Sequence, residues 1–103
     1  MQIWKGWETD MSIMPISELI VQVAEICKAN GVKRLDLFGS FATGTAVPTS
    51  DIDFVVYGCK DFLRLEDAVL NIDTLRNIDL FDYDSIDNPF LLEDIKKYGK
   101  QIY

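Results

Sequence analysis

Two carboxylates and a glycine–serine pair are the residues of this chain whose types and spacing could do chemistry. Gly39-Ser40 is followed, after ten residues, by Asp51-Ile52-Asp53. Side chains two residues apart in an extended strand leave the same face, so we expect Asp51 and Asp53 to lie together. Two carboxylates held that close repel each other, and Mg²⁺ relieves the repulsion while also binding phosphate oxygens. The spacing therefore indicates a site that holds a nucleotide triphosphate through metal ions.

The Gly39-Ser40 turn has the features of a phosphate-binding element. Gly39 lacks a Cβ, so its backbone can adopt a positive φ and let a phosphate approach. Ser40 offers a hydroxyl and a backbone N–H. A short helix beginning at Phe41 would add the free N–H groups of its first turn, which favour an anion.

Strands and helices must position these groups. The alternating apolar run Arg34–Phe38 predicts a strand ahead of the turn, and the β-branched run Ile52–Tyr57 predicts a strand that opens on the acids. The other patterns predict an amphipathic helix over 17–30, a helix over 60–75, a strand over 78–83 and a last helix from Pro89 to just before Gly99. Ser17 is the expected N-cap of the first helix. Helices and strands around one sheet give an α/β fold.

The motif resembles a known family. Gly39-Ser40-x10-Asp51-x-Asp53 is similar to the defining motif of the minimal nucleotidyltransferases, small members of the DNA polymerase β-like superfamily. The resemblance extends from about Ile16 to the C-terminus, and its closing helix and tail correspond to residues 86–103. It implies a small mixed β-sheet flanked by helices.

In that family a third carboxylate sits on a later strand. The segment Asn77-Ile78-Asp79-Leu80-Phe81-Asp82 matches its context and nominates Asp79. An acid buried in an otherwise apolar strand is costly without a partner, which also favours a function for Asp79. Strict alternation places Asp82 and Asp84 on the opposite face. Asp36 is expected to be on an exposed face or salt-bridged.

The resemblance implies transfer of a nucleoside monophosphate, AMP from ATP in our interpretation, to an acceptor hydroxyl. Asp51, Asp53 and Asp79 would be the catalytic carboxylates and the ligands of Mg²⁺, with two metal ions at the site. Asp79 would help to activate the acceptor hydroxyl. Gly39 and Ser40 would bind the β- and γ-phosphates.

Minimal nucleotidyltransferases commonly pair with a separately encoded all-helical protein of the HEPN or substrate-binding type. In the toxin–antitoxin version the transferase is the antitoxin and adenylylates its partner, so the resemblance implies a hetero-oligomer. Family members often carry an arginine where this chain has Thr43. The loss of that cation leaves room for a catalytically weak or idle antitoxin that acts by contact. A small-molecule transferase of the aminoglycoside type, with its acceptor site completed by a homodimer, is a further alternative.

Several function classes conflict with the sequence. Haloacid-dehalogenase phosphatases also use Asp-x-Asp, but at the end of an apolar strand, whereas these acids precede one. The formal net charge is −7 and no Lys/Arg cluster appears, which argues against binding to duplex nucleic acid. The chain has no histidine, so His-based zinc sites and His general bases are excluded.

Length and composition predict one folded domain. The 103 residues leave no room for a second core, and no apolar run approaches the 18 residues of a membrane span. We expect residues 1–15 to form a loosely docked arm, with Trp4 and Trp7 as alternative anchors for a partner, and 16–103 to form the nucleotidyltransferase domain. Cys27 is expected in the core and Cys59 to be incidental, and unpaired cysteines suit the cytoplasm.

Overall fold

A computed structural model describes residues 14–103. Residues 1–13, which hold most of the predicted N-terminal arm and both tryptophans, lie outside the described part. None of the helices within 14–103 is long and apolar enough to cross a bilayer. In chain order the elements are α1 (Ile16–Ala29), β1 (Arg34–Phe38), a short helix α2 (Ser40–Thr43), β2 (Ile52–Tyr57), α3 (Phe62–Leu70), β3 (Ile78–Asp82), a 3₁₀ turn (Tyr83–Ser85), α4 (Pro89–Tyr98) and β4 (Lys100–Gln101).

The four strands form one mixed sheet in the order β3-β2-β1-β4. β1 is antiparallel to both β2 and β4, whereas β2 and β3 are parallel. The end of β1 and the beginnings of β2 and β3 therefore meet at one end of the sheet. The predicted α/β fold with a small mixed sheet and flanking helices is confirmed.

One face of the sheet carries the main core. Because side chains alternate along a strand, Leu35 of β1 and both Phe54 and Val56 of β2 point to the same side, where they are fully buried. α1 and α3 cover that side with Leu19, Val23, Cys27, Leu65 and Val69. Burying each large apolar side chain contributes roughly 1.5–3 kcal/mol, so this face anchors the strands that carry the site.

The other face of the sheet is only partly apolar. Val55 and Ile95 are buried but do not belong to the main cluster. Val55 points to the side of the sheet opposite Phe54, and Ile95 belongs to α4. Asp53 shares this face with Val55 by alternation. Asp53 and its β3 partner Asp79 therefore lie on the face opposite the main core.

α1 begins two residues earlier than an N-cap at Ser17 predicts. Pro15 occupies the N-cap position with extended dihedrals (φ −58°, ψ 144°), and its carbonyl accepts the N–H of Leu19 at 3.0 Å. Ser17 lies inside the first turn, so its assignment as N-cap is wrong. Pro15 has no capping side chain, but its fixed φ and missing N–H are compatible with the position just before the first helical turn. The predicted end is confirmed, since Asn30 is the C-cap and Gly31 follows at φ +76°.

α3 and β3 are shorter than predicted. The Asp61 side chain accepts the N–H of Arg64 at 3.1 Å and caps α3, which ends at Leu70 rather than at 75. Ile72 still packs against the core from the turn that follows, so the apolar spacing continues past the helix. Tyr83 begins the 3₁₀ turn instead of ending β3. α4 starts at Pro89 and ends before Gly99, as predicted.

Asp36 is buried rather than exposed, with 1% of its surface accessible. Arg34 donates to it from Nε at 2.9 Å and from Nη2 at 3.2 Å, and the Tyr57 hydroxyl donates to it at 2.8 Å. The Tyr57 ring stacks on Tyr83 with centroids 4.3 Å apart. The exposed-face alternative for Asp36 is therefore wrong and the salt-bridge alternative is confirmed. Burial and the hydrogen bond to Asp36 raise the pKa of Tyr57.

Both cysteines are free. Cys27 is fully buried in the core, as predicted, and its burial raises the pKa of its thiol to about 12. A thiol with so high a pKa is almost entirely protonated at neutral pH and is a poor nucleophile. Cys59 is half-buried just past β2.

Candidate active site

The parallel register of β2 and β3 brings two carboxyl groups together. Asp53 is the second residue of β2, Asp79 is the second residue of β3, and the two are directly opposite each other. Asp79 is near enough to Asp53 to raise the pKa of the Asp53 carboxyl group. Asp53 is half-buried and Asp79 is exposed. The structure therefore brings together two of the three predicted acids.

The surroundings of Asp53 disfavour its charged form. Burial is the largest cause, followed by the charge of Asp79, the hydrogen bond with Asp79 and the charge of Asp51, and together they raise the pKa of Asp53 to about 6. The negative charges of the neighbouring acids thus repel the Asp53 carboxylate, and a bound cation would relieve this repulsion. A donor set made only of carboxylate oxygens fits a hard divalent cation such as Mg²⁺.

Asp51 lies in the segment directly before β2 and is exposed. It lines a cleft of about 320 Å³ together with Asp79, and its charge acts on Asp53. Within residues 14–103 no three His, Cys, Asp or Glu side chains are already grouped so as to enclose a metal ion. Asp53 and Asp79 are thus paired across the sheet, whereas Asp51 lies next to the pair without joining it. The metal-binding role of all three stays a prediction.

The Gly39-Ser40 turn lies against Asp53. Phe38, the last residue of β1, is opposite Asp53 in the antiparallel register, and Gly39 follows at φ +71° as the N-cap of α2. A Cβ at Gly39 would overlap Oδ2 of Asp53 and lie 3.2 Å from its Cγ. The predicted positive φ and the short helix after the turn are confirmed. Phosphate binding by Gly39 and Ser40 stays a prediction.

Replacing Gly39 by alanine should damage the site more than the fold. Gly39 has φ +71° and ψ −152°, a backbone region that is almost exclusive to glycine and costs another residue about 1–3 kcal/mol, and the added Cβ must displace the Asp53 carboxyl group. A shift of about 1 Å can cost on the order of 10²-fold in rate. Gly31→Ala is the matched control, because Gly31 has φ +76° and no atom within 4 Å of an added Cβ.

Urea unfolding would measure the stability of each variant. An assay of nucleotidyl transfer would measure the activity that the family resemblance implies. We expect Gly39→Ala to lose somewhat more stability than Gly31→Ala, because only its added Cβ meets another group, and only Gly39→Ala to lose most of its nucleotidyl-transfer activity. Equal activities in the two variants would contradict the contact between Gly39 and Asp53.

The burial argument for Asp79 is wrong, because β3 is an edge strand and Asp79 is exposed near its start. Its support comes instead from its pairing with Asp53. Asp82 faces away from this pair, as the alternation predicts, whereas Asp84 lies in the 3₁₀ turn beyond β3, where strand alternation does not apply. Asp82 accepts a hydrogen bond from the Ser85 hydroxyl at 2.9 Å, and Asp84 accepts the N–H of Gly58 at 2.8 Å.

Thr43, where family members often have arginine, is engaged within its own turn. Its hydroxyl lies 3.0 Å from that of Thr45 and 3.4 Å from the carbonyl oxygen of Gly39. Gly44 follows as a left-handed C-cap at φ +78°. These residues shape the turn and bring no positive charge to it.

Arg76 also belongs to the site, although its residue type and spacing do not predict it. Its Nη1 donates to the carbonyl oxygen of Ser50 at 2.7 Å, and its guanidinium lies 5.1 Å from the centroid of the Phe41 ring. It lines the same cleft as Asp51 and Asp79. No motif marks Arg76, because its contacts depend on how the turns before β2 and β3 pack together.

A mixed sheet that sets a Gly-Ser turn against paired carboxylates defines a nucleotidyltransferase of the polymerase β type. Comparison with known families agrees: the family model described as polymerase beta, nucleotidyltransferase matches residues 21–103. The chain belongs to this family and is a nucleotidyltransferase.

Solved structures show the same fold. A minimal nucleotidyltransferase is 26% identical with a TM-score of 0.66, over 89% of this chain and 98% of that one. A toxin–antitoxin with AMP-PNP is 25% identical with a TM-score of 0.65, over 81% of this chain and 71% of that one. A variant of the toxin–antitoxin MntA-HpeT is 23% identical with a TM-score of 0.62, over 88% and 73%, and shows the fold alone. No curated protein matches the chain in sequence.

Proposed function

We propose that this chain moves AMP from ATP to a hydroxyl group on a separately encoded, all-helical HEPN-type partner, as the antitoxin of a toxin–antitoxin pair, with residues 16–103 as the catalytic domain. The observation that carries the proposal is the opposition of Asp53 and Asp79 beside the Gly39 turn. The likeness to a toxin–antitoxin with AMP-PNP supports an adenine nucleotide and a toxin–antitoxin pairing.

In this proposal the three carboxylates bind metal and the Gly39-Ser40 turn binds phosphate. Asp51, Asp53 and Asp79 would hold Mg²⁺, which when bound neutralises phosphate charge and orients the triphosphate. The N–H groups and the hydroxyl of Gly39-Ser40 bind the β- and γ-phosphates. Since the turn touches Asp53, phosphate binding and the acids are held in one arrangement.

The transfer itself is an in-line displacement. The acceptor oxygen attacks the α-phosphorus, a new P–O bond forms, the bond between the α-phosphorus and the bridging oxygen breaks, and pyrophosphate leaves. Asp79, exposed at the edge of the sheet, accepts the proton of the acceptor hydroxyl. The contribution of the protein is mainly positioning and charge neutralisation.

The partner is expected to present a basic surface, because the chain carries a net charge of −7. Duplex nucleic acid is not an expected partner on the same ground. The two free cysteines suit a reducing cytoplasm. We place the protein there, in a hetero-oligomer with its partner.

Label transfer tests the proposal. The chain is incubated with Mg²⁺ and α-labelled ATP, with and without the product of the neighbouring gene. We expect label on the partner with the wild-type chain and with Asp82→Asn, and none with Asp53→Asn. Asp82 is a suitable control because it lies on the same strand as Asp79 but faces away from the pair.

Two other results would replace the proposal. If no label is transferred and Asp51→Asn/Asp53→Asn still neutralises the partner, the protein is an antitoxin that acts by contact; Thr43, which brings no charge to the turn, fits that alternative. If an aminoglycoside is labelled instead of the protein, the acceptor is a small molecule.

A further inference from the structure

Arg76 connects three segments of the site that are far apart in sequence. Its Nη1 donates to the carbonyl oxygen of Ser50 at 2.7 Å. Its guanidinium lies over the ring of Phe41, 5.1 Å from the centroid, within the range of a cation–π contact. Ser50 directly precedes Asp51 and Phe41 directly follows Ser40. Arg76 itself precedes β3, which carries Asp79.

The segment that leads into Asp51 depends on this contact. Within the turn, the Ser50 N–H donates to the carbonyl oxygen of Val47 at 2.9 Å, and the Val47 N–H donates to Oγ of Ser50 at 2.8 Å. These bonds shape the turn but do not attach it to the sheet. Attachment comes from Ile52, whose N–H donates to the carbonyl oxygen of Asn77 at 3.0 Å, and from Arg76. Asp51 lies between these two attachments.

Arg76 is itself held in place. Its backbone N–H donates to Oγ1 of Thr74 at 3.1 Å, and its side chain is half-buried. A planar guanidinium can stack on a ring and donate in its plane at once, whereas a lysine ammonium offers a point charge without the stacking plane. The contacts of Arg76 therefore use properties that are specific to arginine.

We propose that Arg76 is a positioning residue, which fixes Asp51 and the Ser40–Thr43 helix relative to the Asp53–Asp79 pair. The inference rests on the proposed function of the site and deepens it by naming the residue that holds Asp51 in position. It acts through Ser50 and Phe41, both of which it contacts in the structure. The same short helix has Thr43 and no cation of its own at the place where family members often have arginine.

The test compares Arg76→Met, Arg76→Lys and the control Arg64→Met, since Arg64 is exposed on α3. Two readouts are used: amide hydrogen exchange over residues 47–52, with β2 residues 54–57 as the internal reference, and the kcat and KM of label transfer from ATP. In Arg76→Met we expect the backbone amide hydrogens of residues 47–52 to exchange about tenfold or more faster than in wild type. The exchange rates of residues 54–57 should be unchanged. We also expect the kcat of Arg76→Met to fall about tenfold or more, with a nearly constant KM for ATP. Arg76→Lys should have exchange rates and a kcat between those of Arg76→Met and wild type. Arg64→Met should match wild type in both.

Three outcomes overturn the inference. Unchanged exchange over 47–52 in Arg76→Met means that Arg76 does not hold the turn. Faster exchange with unchanged kcat means that holding the turn does not matter for transfer. A raised KM for ATP with unchanged kcat means that Arg76 binds the triphosphate directly. Absence of transfer by the wild-type chain would count against the proposed function instead, and hydrogen exchange would then still decide whether Arg76 anchors Asp51.

Discussion

Asp53→Asn is expected to abolish nucleotidyl transfer and, in the absence of metal, to make the protein more stable. The first effect follows from removing one carboxylate of the pair at which phosphate charge must be neutralised, and we expect a loss of at least about 10²-fold. The second follows because the Asp53 carboxylate is held against Asp79 and away from part of the solvent. Function and stability thus oppose each other at this residue.

The sign of the stability effect follows from the pKa. Burial and the neighbouring acids raise the pKa of Asp53 from its ordinary 3.8 to about 6, so the folded protein binds this proton more tightly than the unfolded chain does. Stability is therefore unaffected below about pH 4, falls as the pH rises through about 6, and stays reduced above it. The full difference would be worth about 3 kcal/mol. Because solvent reaches much of the carboxyl group, we expect about 1 kcal/mol.

Urea unfolding in EDTA at pH 4 and pH 8 measures this effect. Asp53→Asn should gain about 1 kcal/mol over wild type at pH 8 and have little advantage at pH 4. Asp82→Asn, on the opposite face of β3, should not reproduce that dependence on pH. A variant that is less stable than wild type at pH 8 would contradict the electrostatic account of the pair.

Arg34→Met is expected to destabilise the fold by about 2–4 kcal/mol, because it leaves a buried carboxylate without its cation. Arg34 is itself 46% exposed, so its position alone suggests a tolerant surface site. The reason for the large effect is Asp36, which among residues 14–103 keeps only the Tyr57 hydroxyl as a side-chain donor once the guanidinium is gone. Breaking a buried pair costs more than the pair itself contributes.

Chemical denaturation of three variants tests this prediction. Arg64→Met removes an exposed arginine and should change stability by less than about 0.5 kcal/mol. The double variant Arg34→Met/Asp36→Leu should recover part of the loss, because it removes the stranded charge. If Arg34→Met and Arg64→Met have equal stabilities, the pairing with Arg34 contributes nothing to the fold.

Local patterns predicted much of the scaffold. The alternating run Arg34–Phe38 and the β-branched run Ile52–Tyr57 are strands with the expected bounds, since each has one face that the core requires to be apolar. The positive φ at Gly39 follows from the turn it must make. The last helix begins at Pro89 because proline is suited to the first helical position.

Other features depend on packing that a local pattern does not contain. α3 ends at Leu70 although Ile72 continues its apolar spacing, because Ile72 reaches the core from a turn. Asp36 is buried because distant elements surround it: Tyr57 comes from β2, and the loop at Gly99 comes from the end of the chain.

The candidate site divides in the same way. Asp51 and Asp53 were nominated by spacing together with the family resemblance. Asp79 was nominated by the resemblance and by an expected burial that the structure does not show. Asp79 lies opposite Asp53 because of the parallel register of β2 and β3, and no local sequence pattern specifies that register. Arg76 could not be found from the sequence, because its partners Ser50 and Phe41 belong to other segments of the site.

Manganese binding in the presence of AMP-PNP tests the central claim most directly, because Mn²⁺ can stand for Mg²⁺ and be counted by electron paramagnetic resonance. The claim is that Asp53 and Asp79 hold the metal that accompanies the nucleotide. We expect the wild-type chain and Asp82→Asn to bind Mn²⁺ in a nucleotide-dependent way, and Asp53→Asn and Asp79→Asn to lose most of that binding. Equal binding by wild type and Asp53→Asn, or no nucleotide-dependent binding by wild type, would contradict the claim.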